Sequence, residues 1–599
     1  MAVRRTFGWV QNPADLTKLK RVVGIFEHGS VYHIWLTEER LPLLLQYELI
    51  SKDDFDRFRE ELDKKCMEID YGLLKGKGAG TGSRKDALCT GIVQAVIDGQ
   101  RERTYTDAAG NSIMIKKPYT DDWSAEGYIR WAISCGLLEY DKAKDKCKVT
   151  ELGRELALSD DNSKEERSAL TKALLSYPPV IRILSLLMEQ DEQTKFELGS
   201  KLGFAGELGF TSIPQDVFLC DYGTAATAAE KSEVRSNCEG DSDKYARGIA
   251  SWLTQMNWVE TSTKEVTGCY RGKDYTASLQ TYSITRAGEK ALTKAKGNSS
   301  RARLPRVVMF EMLASNRAFG ADYIRYQRAC LLNAFSASEK TLEQLQTALK
   351  GYGLDLSVDA IRDHISGLTA IGIDIAVRDD KYRLLDKING LEIPPGSECV
   401  KDDINDIKER VRSRLKNVDH KYLVLIDLAY SDASSKTKKN ADAREFEIQT
   451  ADLLTEELSF HGRRLGDSNR PDVIISHGSY GTIIDNKSYK DGFNIDKHCA
   501  DEMSRYINEN LQRIAGVPSN EWWKEFDSGV TTYTFLFVTS YLKGKFEEQL
   551  EYISKMQGGI KGAAIGAENL LYLAEEIKSG NLTYEEFYDR FKNGEIREF

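Results

Sequence analysis

No stretch of this 599-residue chain is apolar for anything close to the roughly 18 residues that span a bilayer, so it is not read as a membrane protein. The opening residues, Met-Ala-Val-Arg-Arg-Thr-Phe-Gly-Trp, lack the apolar core of a signal peptide, and a cytoplasmic location is expected. No C-x-x-C pair occurs among the ten cysteines (Cys66, Cys89, Cys135, Cys147, Cys220, Cys238, Cys269, Cys330, Cys399, Cys499). That excludes a zinc ribbon or a disulfide framework and leaves reduced, mostly buried thiols. The seven histidines are dispersed without metal-ligand spacing. The glycine-rich run Gly76-Lys77-Gly78-Ala79-Gly80-Thr81-Gly82-Ser83 has no terminal G-K-[ST], so it is not a P-loop; it reads as a loop whose backbone can approach phosphate. An overall basic charge is missing too. Net charge is −10 and the pI about 5.5, which leaves nucleic-acid binding to local patches such as Arg4, Arg5, Lys18, Lys20 and Arg21; Lys75, Lys77, Arg84 and Lys85; and Arg301, Arg303 and Arg306.

What is present is a chain too long for one core, with the 41% hydrophobic and 29% charged content of a globular protein. One syntax recurs three times: an amphipathic helix, a break, then two strands around a polar turn. In Ser124–Leu156 the helix carries Tyr128, Ile129, Trp131 and Ala132, Gly136 ends it, and Leu137–Tyr140 and Cys147–Thr150 form the hairpin. In Lys244–Leu292 the helix is striped by Tyr245, Ile249, Trp252 and Leu253, with Trp258–Thr261 paired to Thr281–Thr285. In the third copy Ile361, Ile365 and Leu368 precede Ile373–Val377 and Tyr382–Leu385. This is the order of a winged helix, a module that serves DNA reading or protein docking. Three in tandem ahead of the motif below favour DNA reading, with the third mainly structural. The domain boundaries expected are 1–160, 161–300 and 301–390, a linker at 391–398 around Pro394-Pro395-Gly396, and a final α/β domain over 399–599.

That last domain holds Pro471-Asp472-Val473-Ile474-Ile475-Ser476, a turn cluster His477–Gly481, and a second strand Thr482–Lys487. Side chains alternate along a strand, so Asp485 and Lys487 share a face, and Asp472 can lie beside Asp485 across the hairpin. Two carboxylates at one point bind a hard divalent cation such as Mg²⁺, and an adjacent lysine can orient the attacking water and help deprotonate it. The pattern resembles the PD-(D/E)xK nucleases, a motif short enough to arise by chance.

The surrounding residues extend the likeness nearly end to end. Arg470-Pro471-Asp472, Asp485-Asn486-Lys487-Ser488-Tyr489, Ala500-Asp501-Glu502-Met503, Asn520-Glu521-Trp522-Trp523-Lys524 and Phe591-Lys592-Asn593-Gly594-Glu595-Ile596 carry it in the C-terminal part. Arg5–Pro13, Ser176-Tyr177-Pro178-Pro179 and Ser242-Asp243-Lys244-Tyr245-Ala246-Arg247 carry it in the N-terminal part. The chain resembles the FokI-like type IIS restriction endonucleases. The resemblance implies three winged-helix-type recognition subdomains and a tethered PD-(D/E)xK cleavage domain, that is, a multidomain α+β and α/β protein. It implies a catalytic set of Asp472, Asp485 and Lys487, and Mg²⁺ held by Asp472, Asp485 and the Asn486 carbonyl. Base-reading groups fall on Gln11, Asn12, Arg84 and Trp123 in the first subdomain and on Glu239, Lys244 and Arg247 in the second. Arg and Lys match guanine, Gln and Asn match adenine, and Glu accepts from cytosine, so GGATG or a close variant in double-stranded DNA is the expected site. A prokaryotic host with a cognate DNA methyltransferase is implied as well. Three departures from the family pattern, Asp467 for Gly, Val473 for Gly and Asn486 for Thr, bear on rate and metal preference rather than on the reaction.

One such site cuts one strand, so a double-strand break calls for a transient homodimer. Asp501 and Arg505 stand at i and i+4: an intrahelical ion pair in the plain view, symmetric cross-bridges of a two-fold dimer in the family view. Glu447 is a candidate extra metal ligand or a surface carboxylate. Cutting at a fixed distance outside the site implies that the cleavage domain packs on the recognition region until DNA is found. Two rivals are a structure-selective nuclease or transposase-type subunit, and a DNA-binding regulator with a silent nuclease-like tail.

Overall fold

The structure is a computed structural model and describes residues 7–11, 13–46, 50–64, 68–76, 91–97, 100–106, 112–118, 122–270, 272–297, 302–335, 338–397, 403–432, 436–466, 470–518, 520–597 and 599. The glycine-rich run beyond Gly76 lies outside them, as do Asn12, Arg84 and Asp467. Among the described residues no single helix is long and apolar enough to cross a membrane. Cys135, Cys147, Cys220, Cys238, Cys330 and Cys499 are buried free thiols, and Cys269 is exposed.

Each of the three N-terminal units contains, among other helices, a helix followed by a hairpin. In the first, α1 (Asp122–Ser134) stops at Gly136, whose φ of +69° suits a residue without a side chain, and β1 (Leu138–Asp141) turns into β2 (Lys146–Val149). Ile69–Asp70 adds a third strand to this hairpin. In the second, α2 (Asp241–Gln255) leads to β3 (Val259–Tyr270) and β4 (Lys273–Ile284), joined by Gln193–Thr194. These strands are far longer than the sequence pattern predicts. Ser262, Thr263, Lys264 and Glu265 face solvent, so no apolar alternation marks them, and twelve paired residues carry the ladder instead. The third unit has α3 (Val358–Ala370), β5 (Ile375–Arg378) and β6 (Lys381–Leu384) around Asp379 and Asp380, both with positive φ.

One apolar core runs through all three units. Trp131 of α1 stacks on Trp252 of α2 at 4.4 Å, and both are fully buried. The N-terminal arm ties the units together: Trp9 Nε1 donates to Met312 O and Trp252 Nε1 to Pro13 O. The segment read as a linker begins on this body, since Leu391 and Ile393 pack against the same core.

The C-terminal unit is a six-stranded mixed sheet between helices. Its strands are β7 (His461–Arg464), β8 (Val473–His477), β9 (Tyr480–Lys487), β10 (Thr532–Thr539), β11 (Lys561–Gly566) and β12 (Gly594–Glu595), in that order. The first two pairings are antiparallel and the rest parallel. Helices α4 (Asp403–Arg414), α5 (Lys436–Asp452, continued by a π-helical turn Leu453–Glu457) and α8 (Ala567–Lys578) pack with one apolar layer. Helices α6 (Lys497–Gln512) and α7 (Phe546–Met556) pack with the other. The β8–β9 turn is tighter than the cluster 477–481 suggests. His477 and Tyr480 still pair, and only Gly478, at φ +57°, and Ser479 turn the chain.

This unit docks on the second and third. Ile448 of α5 sits in an apolar cluster with Phe196, Phe218 and Leu219 of the second unit. Arg317 of the third unit binds Asp241 at 2.9 Å and also Asp442 of α5. Lys408 of α4 reaches Gly206 O at 2.9 Å and Asp427 at 2.7 Å, and Asp427 accepts from Leu208 N.

Candidate functional site

The register Val473↔Ile484 puts Asp472 opposite Asp485 at the open end of the hairpin. Asp472 is anchored through its own backbone, whose carbonyl accepts from Leu465 N (2.7 Å) and Gly466 N (3.2 Å). Its carboxylate accepts from Asn486 N at 2.7 Å. Val473 points the other way into the core, so that departure from the family pattern adds packing beneath the site without entering it. Asn486 turns its side-chain amide to Thr450 Oγ1 at 2.7 Å. Asp485 is 3% exposed, and its Oδ2 lies 2.8 Å from Lys487 Nζ. Lys487 is also fixed through its backbone, where Thr539 Oγ1 donates to its carbonyl at 2.7 Å.

Burial, then the charges of Asp485 and Glu447, push the Asp472 carboxyl well above the usual carboxylate range. For Lys487 burial works against the charge, but the Asp485 carboxylate and then Asp472 outweigh it and hold the amine above the usual lysine range. Lys487 is therefore a cation that can orient and donate.

Asn486 Oδ1 is buried without a hydrogen-bond partner, and buried Asp485 Oδ2 faces the Lys487 ammonium at 2.8 Å. Two crowded carboxylates with an unsatisfied oxygen are a donor set that suits a hard divalent cation. Among the described residues no three His, Cys, Asp or Glu side chains converge as a ready-made metal site. A cation here would draw on the two carboxylates, on backbone carbonyl and on water, the mixed shell that Mg²⁺ tolerates. Glu447 is close enough for its charge to act on Asp472, and its Oε2 accepts from Arg464 Nε at 2.9 Å, while Arg464 also approaches Asp221 of the second unit at 3.7 Å.

On the recognition side, α2 presents Lys244 and Arg247 one turn apart. Glu239, just before this helix, is gripped by Lys195 Nζ (2.7 Å) and Arg247 Nε (3.0 Å). Asp241 is a hub that the sequence did not signal. It meets Gln11 Nε2 at 3.4 Å, Lys244 Nζ at 3.5 Å and Arg317. Gln11 of the first unit and Lys244 of the second are thereby brought to one place. Trp123 belongs to α1, but its side chain, like Asn12 and Arg84, lies outside the described residues. A cleft of about 520 Å³ separates Glu239, Asp241 and Lys244 from Asp442 and Glu445 of α5.

On α6, Asp501 makes no side-chain ion pair or hydrogen bond among the described residues. Arg505 turns away from it to Glu509 Oε1 at 3.3 Å and Glu502 Oε1 at 3.9 Å. The plain view of an Asp501–Arg505 intrahelical pair is thus not what forms. Lys195, Asp241, Arg317 and Glu502 were missed because each acts through a partner distant in sequence.

Four family models match the chain: the FokI cleavage domain over residues 401–597, recognition subdomain 1 over 5–159, recognition subdomain 2 over 166–300 and the D3 domain over 313–380. The type II restriction enzyme FokI of Planomicrobium okeanokoites is 37% identical over 602 aligned residues, 99% of each chain. The type II restriction enzyme StsI of Streptococcus sanguinis is 30% identical over 593, covering 96% of this chain and 92% of its own. Two solved structures align over 99% of this chain and 100% of their own at 36% identity: restriction endonuclease FokI with TM-score 0.86, and FokI bound to DNA with TM-score 0.87.

Proposed function

The chain belongs to the FokI family of type IIS restriction endonucleases, and from that premise we propose that it reads GGATG or a close variant in double-stranded DNA and cuts both strands at a fixed distance outside it, with Mg²⁺ as the metal. The observation that carries the chemistry is the opposed pair Asp472 and Asp485 with the Lys487 ammonium 2.8 Å from the second. Asp472, Asp485 and the carbonyl of Asn486 would hold the metal. When bound, Mg²⁺ supplies charge neutralisation at the scissile phosphate and acidifies the attacking water. Asp472 and Asp485 fix where that charge sits. Lys487, held as a cation, orients the water and offsets the negative charge that develops on the phosphate. Buried strands on both sides keep these groups from relaxing as the charge moves.

Gln11, Asn12, Arg84 and Trp123 of the first subdomain and Glu239, Lys244 and Arg247 of the second are the base-reading set, with Arg and Lys on guanine, Gln and Asn on adenine, and Glu on cytosine. The cleavage domain docked through Arg317, Lys408 and Ile448 is read as the restrained form, released when the site is bound. Freed domains then pair transiently through Asp501 and Arg505, so that two sites cut two strands. A methyltransferase of the host would protect its own copies of the site.

The test is run-off sequencing of ends made on a mixed plasmid library with Mg²⁺, beside Lys487→Ala. Breaks at a constant offset from one asymmetric motif are expected, with the variant slower by about 10²–10³ or more. Normal cutting by the variant would refute the role of Lys487. Breaks that follow DNA structure rather than sequence would refute the whole reading.

A further inference from the structure

Lys487 Nζ faces two carboxylates. Asp485 Oδ2 lies at 2.8 Å, and Glu502 Oε2, reaching from α6 to the strand, lies at 3.6 Å. Glu502 is not a loose surface group. Tyr506, 3% exposed, donates its hydroxyl to Glu502 Oε1 at 3.1 Å. The same oxygen is 3.9 Å from Arg505 Nη2, while Arg505 Nη1 also binds Glu509 Oε1 at 3.3 Å. Glu509 is pinned in turn by the indole N–H of buried Trp522 at 2.7 Å. A charge chain therefore runs from the strand lysine to the helix face that carries Asp501 and Arg505.

We propose that Glu502 is a positioning residue for Lys487, and that Arg505, by sharing Glu502, ties the set of the catalytic lysine to the dimer face. This rests on the nuclease reading above. Asp485 has two claims on its charge, the lysine and the metal. Once it serves the metal, Glu502 is the carboxylate still facing the ammonium among the described residues, and the tyrosine hydroxyl fixes where it pulls. In a single domain Arg505 draws on Glu502 and Glu509 together. A cross-bridge from Arg505 to Asp501 of a second copy would take the guanidinium off Glu502 and leave that charge to Lys487. Pairing of the domains would thus sharpen the lysine's placement as well as supply the second site. An ordinary i, i+3 and i, i+4 network along a helix would give a few tenths of a kcal/mol of stability and nothing at the strand.

The test uses the full chain, with Glu502→Gln, Glu502→Asp, Asp501→Arg and Lys487→Ala compared with the parent. Single-turnover cutting at saturating DNA and Mg²⁺ should fall about 10²-fold in Glu502→Gln, the scale of misplacing a catalytic group. Site binding measured in EDTA should be unchanged, and Glu502→Asp should recover part of the rate. A second readout needs no cutting: in EDTA the melting-temperature changes of Glu502→Gln and Lys487→Ala should fail to add in the double variant, because the two side chains interact. Parent-like cutting by Glu502→Gln, or additive melting changes, would overturn the proposal. So would a rate deficit that vanishes when enzyme concentration is raised, since that marks a role in pairing alone; Asp501→Arg supplies the signature of such a defect. Undiminished cutting by Lys487→Ala would bring down the nuclease reading and this proposal with it.

Discussion

The two ends of the molecule hold their charges in opposite ways. On the recognition side two carboxylates at the start of α2 have their cations before any ligand arrives: Glu239 lies between Lys195 and Arg247, and Asp241 between Lys244 and Arg317. At the proposed cleavage site buried Asp485 and half-buried Asp472 stand opposite each other with one lysine, 2.8 Å from Asp485, between two negative charges. A satisfied reader exchanges one set of polar contacts for another, so its net gain is modest and its value is discrimination. Two opposed carboxylates that share one lysine carry a penalty in the free protein that a bound divalent cation would remove. Reading is tuned by exchange, cutting by frustration.

The largest break in this contrast should come from Asp472→Asn. The amide oxygen can still accept from Asn486 N, so the local bond survives while the charge opposed to Asp485 and Glu447 goes. Cutting should fall by about 10³ or more, as when a group needed for charge stabilisation is lost. The metal-free protein should nonetheless melt higher, by about 2–4 °C for each kcal/mol of relieved repulsion in a domain of this size. A variant that is both inactive and less stable in EDTA would show that the pair is not strained. The sign of the pH effect follows. The Asp472 carboxyl is raised above its unfolded value, so its contribution is full below the unfolded carboxylate range and is lost as pH rises through the raised folded value.

The second effect is on the reader. Arg247 is half exposed, and removing it leaves Glu239 still bound by Lys195. Arg247→Ala should weaken binding of the cognate site by about 10–100-fold, the worth of one bidentate base contact, and leave the melting temperature nearly unchanged. Competition binding against random DNA at fixed salt would check it. Equal loss on both DNAs would make Arg247 a phosphate contact, and no loss would remove it from the reading set.

How far these sites were legible in the sequence follows the same divide. The hairpin that carries the proposed catalytic residues is local: alternation along Thr482–Lys487 put Asp485 and Lys487 on one face, and the short turn made Asp472 their neighbour. The helix-then-hairpin order of the three units was legible because Gly136 and the stripes of Trp131 and Trp252 mark helix ends and buried faces. The long strands Val259–Tyr270 and Lys273–Ile284 were not, because a ladder held by backbone bonds leaves no apolar signature. Strands β7 and β12 were missed because each is short and takes its place only beside a partner already in the sheet, and β11 because Lys-Gly-Ala-Ala-Ile-Gly is poor in the β-branched and aromatic residues that mark a strand. Asp241 and Arg317 were beyond reach for a different reason. Their partners are 76 and 125 residues away, and nothing in an isolated Asp or Arg tells which body it will touch.

That inter-body contact gives the smallest effect and the finest test of the contrast. Glu445 belongs to the cleavage domain but lies buried against the recognition region, where burial, then Asp243 and Asp241, raise its carboxyl to about 7, with Gln449 and Arg317 opposing the shift. Asp243, also raised to about 7 by burial, is held by Ser212 and by the N–H groups of Ile213 and Gly240. A carboxyl whose docked value is raised favours docking at low pH and loses that contribution as pH rises through about 7. Between pH 6 and 8 Glu445 can therefore loosen docking by about tenfold at most, given a docked value of about 7. Hydrogen exchange over 436–452, corrected for its intrinsic pH dependence, should rise over that range, and Glu445→Gln should flatten the rise. A slope that survives the substitution would assign it to Asp243, inside the recognition region, and would mean that even this acidic seam is satisfied in the free protein. The opposed charges would then be confined to Asp472 and Asp485, where a bound cation would answer them.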